Sequence, residues 1–94
     1  MTQQETVRGR GIVIAGNASP FGVDYAIEVE REGDAVRADG RMWGQADMLK
    51  ILSANKTAVL SLDDEHQIEI SPLAFSDGKD AWLDFTVLTS ASQL

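Results

Sequence analysis

The chain has 94 residues, enough for one domain, and 15 acidic against 8 basic residues give it a net charge of −7. Nucleic-acid backbones and anionic membranes repel such a surface, so neither is expected as a partner, and a basic protein fits the charge better. There is no cysteine, which excludes disulfides and thiolate chemistry and leaves the core to packing alone.

Residues 1–5 are polar and are expected to form a disordered tail. They contain no apolar h-region, and no apolar run in the chain approaches a membrane span, so the expectation is a cytoplasmic protein. The first expected strand is Thr6 to Ala15. Arg8 and Arg10 alternate there with Gly9 and Gly11, ahead of the apolar run Ile12-Val13-Ile14-Ala15. Glycines inside a strand mark a bend or bulge, as at a barrel corner. GNASPFG, residues 16–22, is a loop of turn formers.

The second strand, Gly22 to Glu32, alternates most cleanly. Val23, Tyr25, Ile27 and Val29 are apolar, and Asp24, Glu28 and Glu30 interleave with them. A period of two buries one face and wets the other. Gly33-Asp34 then suits a two-residue hairpin turn with glycine first, of type II′. That turn pairs Val29 with Ala38, Ile27 with Gly40 and Tyr25 with Met42 on the core side. It also sets Glu30 against Arg37 on the wet side. Charge and hydrophobicity select one register, and the third strand is Ala35 to Trp43.

A helix over about 45–54 follows, with Met48, Leu49, Ile51 and Leu52 as its apolar stripe and Asn55 as a left-handed closing residue. The fourth strand is Thr57 to Leu62 and the fifth His66 to Ser71. Parity demands a three-residue connection, 63–65, so that Leu60 meets Ile68 and Ala58 meets Ile70. Pro72 ends the fifth strand or marks a bulge, and Leu73 and Phe75 continue near the core. After the turn 76–80, the sixth strand runs Ala81 to Leu88. Leu83, Phe85 and Val87 lie on one face, with Trp82, Asp84, Thr86 and Leu88 on the other.

The expected fold is mostly β, α+β by count. Six antiparallel strands in the order βββ-α-βββ form a small barrel or a strongly bent sheet over residues 6–88, and 89–94 form a flexible tail. The opening order of three strands, a helix and two strands resembles that of the OB-fold, with a sixth strand added.

Few residues suggest chemistry. His66, the only histidine, falls on the expected core side of its strand beside Asp63, Asp64 and Glu65. A carboxylate-oriented histidine is an acid–base candidate, and a strand-end histidine bonded to its turn is the plainer alternative. The three carboxylates, joined by Asp77, Asp80 and Asp84, are candidate cation ligands, although a tight turn points neighbouring side chains apart. The glycines fit no nucleotide-binding spacing. No catalytic, cofactor or metal residue is therefore assigned, and an enzyme is not expected.

Asn17, Ser19 and Gly22 in N-x-S-x-x-G, with Arg37 and Arg41 in R-x-x-x-R, resemble the cyclic-dinucleotide signature of PilZ domains in inverted order. The resemblance implies a small-molecule-binding or cyclic-dinucleotide-binding barrel as the alternative function. The aromatics lead elsewhere. Trp43 and Trp82 fall by parity on the face away from the core, and Leu88 shares Trp82's face. Large apolar groups facing water mark an interface. The expectation is a non-enzymatic acidic barrel acting by association with a protein partner or as a homodimer.

Overall fold

A computed structural model describes residues 2–16, 19–63 and 65–88. The strands are β1 (Thr2–Ile14), β2 (Phe21–Glu32), β3 (Ala35–Trp43), β4 (Ala58–Ser61), β5 (Gln67–Ser76) and β6 (Trp82–Val87), with one helix, α1 (Ala46–Ser53), between β3 and β4. All pairings are antiparallel, and the sheet closes as β1-β2-β3-β6-β5-β4. The βββ-α-βββ order and the small barrel are thus as expected. No helix among the described residues is long and apolar enough to cross a membrane.

The β2–β3 hairpin carries the register that charge and hydrophobicity select: Tyr25 opposes Met42, Ile27 opposes Gly40, and Val29 opposes Ala38. Gly33 adopts φ 58° at the turn, a conformation open to glycine because it has no Cβ. In β4–β5, Leu60 meets Ile68 and Ala58 meets Ile70. The three-residue connection holds through the bond from the Glu65 N–H to the Leu62 carbonyl, 3.0 Å. Glu65 closes it at φ 71°, the left-handed position that ends such a loop and that a side chain occupies at a cost.

The closure joins strands far apart in sequence. β3 pairs with β6 from Asp39–Thr86 to Trp43–Trp82. β1 pairs with β2 along nearly its whole length but meets β4 only at Ile12–Ser61, Val13–Leu60 and Ile14–Val59. This stagger is the strand tilt that closing a narrow barrel requires. Val23, Tyr25, Ile27, Met42, Leu60, Ile70, Leu83 and Phe85 fill the interior, and Leu49 and Leu52 of α1 are buried with them. The helix packs against β5 and β6. Gly40 is where the interior is tightest: a Cβ there would lie 2.5 Å from Phe85 Cζ. The ring of Phe85 takes the room that the missing side chain leaves.

Several local expectations are corrected. β1 begins at Thr2, four residues before the expected start, because β2 runs on to Glu32 and offers partners to residues 2–5. In the apolar run, Val13 and Ala15 are buried while Ile12 and Ile14 face out, since a strand turns alternate side chains outward whatever their type. In α1, Ile51 lies on the exposed side. Asn55 is not left-handed; its side-chain amide donates to the Ile51 carbonyl at 3.0 Å. β5 extends to Ser76 through a register shift between Pro72 and Ala74. The shift absorbs the proline, which has no N–H, and brings Phe75 onto the core side opposite Leu83, while Leu73, expected near the core, faces outward and is 63% exposed. The expected tail 89–94 lies outside the described residues.

Candidate association face

The outer face of the β1-β2-β3-β6-β5 wall is laid out in cross-strand rows fixed by the registers. One row runs Arg10, Asp24, Trp43, Trp82, Ser76. The next runs Arg8, Ala26, Arg41, Asp84, Ala74. A third runs Thr6, Glu28, Asp39, Thr86, Ser71. Trp43 and Trp82 are therefore direct cross-strand neighbours. Both are half-buried, on the outward face that parity assigns them.

Arg41 holds this surface in place. Its Nε donates to Asp84 Oδ1 at 2.6 Å and its Nη2 to Asp84 Oδ2 at 3.1 Å. Two parallel bonds between planar groups fix orientation as well as distance. The same guanidinium lies 3.9 Å from the centre of the Trp82 ring, within cation–π range. The hydrogen bonds that Asp84 accepts raise the Arg41 pKa; burial opposes this, and the Asp84 charge adds a smaller upward push. Asp24 also pairs with Arg10 at 3.4 Å, in the open.

Beside the aromatic pair runs a groove of about 660 Å³ whose lining includes Arg8, Ala26, Gly40, Arg41, Trp43 and Leu73. The small side chain of Ala26 in the outer row leaves it open. Glu28 and Asp39 stand directly opposite each other at one side of it, a like-charge pair that costs the sheet some stability. Leu73 belongs to this surface, on the outward side that the buried Ile68 and Ile70 assign to odd positions of β5. Ile12 and Ile14 make a second exposed apolar site next to Val59. The signal for them was in the sequence: they share parity with Arg8 and Arg10.

Leu88 is 49% exposed, but it lies six positions beyond Trp82, just past the end of β6, about 20 Å of extended chain. It is not part of the aromatic site. The described residues of the inverted dinucleotide signature do not converge either. Asn17 lies outside the described residues, Ser19 is exposed in the loop, and Gly22 pairs with Ile12. Arg37 stands opposite Glu30, at the far end of β2 from Gly22, beside which Asp24 stands opposite Trp43. The six steps from 24 to 30 span about 20 Å. Arg41 is committed to Asp84 and Trp82.

His66 is exposed in the turn rather than inward, and its carbonyl accepts from the Leu62 N–H at 2.7 Å. Asp63 instead meets Tyr25: the tyrosine hydroxyl donates to Asp63 Oδ1 at 3.1 Å. Gly9 admits this contact, since a Cβ there would lie 2.5 Å from Asp63 Oδ2. Asp64 is outside the described residues, and among those described no three His, Asp or Glu side chains gather as a metal site. No known protein family, curated protein or solved structure matches the chain.

Proposed function

We propose that this chain is a non-enzymatic association module: an acidic cytoplasmic barrel that binds another protein, or a second copy of itself, through the outer face of β3 and β6. The observation that carries the reading is the cross-strand Trp43–Trp82 pair, held outward and stiffened by the Arg41–Asp84 fork. Tryptophan and arginine are the side chains that most often dominate binding energy, and a pre-ordered surface loses less entropy on docking. Leu73 and the groove extend the apolar area beside them. The net charge of −7 favours a basic partner surface.

The test follows the two indole N–H resonances of the full chain by NMR. Concentration is raised, and cationic peptides of mixed sequence are then added. The reading expects both indole signals to shift with the association. Shifts confined to other strands, with both indole signals fixed, would overturn it.

A further inference from the structure

The groove on the outer wall runs across the strands. Gly40 and Phe85 pair between β3 and β6, so their backbones lie between the row of Arg8, Ala26, Arg41 and Asp84 and the row of Thr6, Glu28 and Asp39. Both line the groove, together with members of each row. It is therefore a trough between two rows, open from β1 to β5. Four interstrand spacings make it about 19 Å long.

Its β5 end is apolar. The register shift falls between Pro72, opposite Phe85, and Ala74, opposite Asp84. It sets Leu73 as an extra outward residue where the trough meets β5, and bulges re-aim side chains in this way. Leu73 is 63% exposed, the most of any large apolar side chain among the described residues. The middle is acidic. Glu28 and Asp39 are exposed and directly opposed. Among the described residues neither makes an ion pair or a side-chain hydrogen bond, and neither does Arg8 at the β1 end. Arg41 and Asp84 cancel through their fork.

We propose that the trough takes an extended segment of a partner protein, with an apolar side chain over Leu73, a lysine or arginine between Glu28 and Asp39, and a carboxylate at Arg8. This rests on reading the β3–β6 face as a protein-binding one, and adds the partner's chemistry and its path. Charge complementarity selects the occupant. Opposed carboxylates repel until a cation stands between them. Two carboxylates offer calcium too few oxygens, and no third acid or histidine among the described residues joins them as a metal site. A cation carried on a peptide chain also covers Leu73.

The spacing follows from the strands. From β5 to the midpoint of β2 and β3 is two and a half spacings, about 12 Å or about four extended residues. Arg8 lies one and a half spacings further, about 7 Å or about two residues. The partner's apolar, basic and acidic residues then stand at i, i+4 and i+6. Even separations place all three on one side of an extended chain.

The probes are the capped heptapeptides LSTSRSE and, for the opposite chain direction, ESRSTSL. They are titrated into the full chain and followed by NMR. One of them is expected to shift the amides of Ala26 and Gly40 and the indole of Trp43, all of which line the trough. Glu28→Gln/Asp39→Asn should bind it about fivefold more weakly, the loss of two exposed ion pairs. The same variant should melt about 2–4 °C higher, because the carboxylates no longer repel. Weaker binding by a more stable chain cannot come from misfolding. Equal affinity of parent and variant, or shifts confined to other residues, overturns the trough. So does the absence of shifts with either heptapeptide at millimolar concentration. If mixed cationic peptides still shift Trp82, which lies outside the trough lining, the association face survives that result. If they leave both indoles fixed as well, the face falls with the trough.

Discussion

Replacing Gly40 with alanine tests how the interior is filled. A Cβ at that position would sit 2.5 Å from Phe85 Cζ, 2.9 Å from Cε2 and 2.8 Å from the Ala26 carbonyl oxygen. Carbon atoms pack best at about 3.5–4.0 Å, so the ring must retreat by roughly 1 Å. Phe85 is fully buried, and the carbonyl belongs to the β2 backbone, so neither gives way freely. Overpacking of this kind costs about 1–3 kcal/mol. Rigid backbone on one side places Gly40→Ala near the upper limit. Loss of the glycine's chain entropy returns about 0.5–1 kcal/mol, leaving a net destabilisation of about 2 kcal/mol. For a domain of this size, that lowers Tm by about 8–16 °C and the urea midpoint by about 1 M. Urea unfolding followed by tryptophan fluorescence measures it. Phe85→Leu in the same background should recover about 1 kcal/mol of the Gly40→Ala cost as coupling between the two sites. A Gly40→Ala protein within about 0.5 kcal/mol of the parent, or a cost indifferent to Phe85→Leu, would refute the packing argument.

Other expectations follow from single contacts. Glu65→Gly should stabilise the chain by about 1 kcal/mol, because glycine holds φ 71° without strain; a destabilised variant in thermal melts would contradict the turn geometry. Tyr25→Phe removes the hydroxyl that donates to Asp63 and accepts from its N–H at 3.3 Å, and should cost about 1–2 kcal/mol in the same melts. Arg41→Met should red-shift Trp82 emission and open it to acrylamide, since the guanidinium covers that ring; unchanged emission would remove Arg41 from the aromatic site. The raised Arg41 pKa means its contribution is present below its ordinary value and is lost only in strong alkali. Trp82 emission should therefore stay constant from about pH 6 to about pH 9.

What could be read in advance was whatever two independent signals fixed together. The β2–β3 register rested on both alternation and the Glu30–Arg37 opposition, and it is the register seen. The β4–β5 connection was set because only three residues put Leu60 against Ile68. The β1–β4 and β3–β6 pairings left no local trace, since strand neighbours distant in sequence are chosen by closure of the whole sheet. Leu73, expected near the core, keeps the outward side that the buried Ile68 and Ile70 assign to odd positions, whereas Phe75 reaches the core because one bulged residue reverses the later parity. The aromatic face was legible, as Trp43 and Trp82 each lie one step from a core residue. Their adjacency, and the Arg41–Asp84 fork beside them, required the β3–β6 pairing.

On the proposed function, an ordered aromatic surface faces outward and is available to a partner. Acrylamide quenching of single-tryptophan variants, Trp43→Phe and Trp82→Phe, in solutions dilute enough for the mass to stay at 10.2 kDa, tests it most directly. Each remaining indole should be quenched well above the level of a core tryptophan. If both resist the quencher while the chain stays at that mass at every concentration, the association face does not exist.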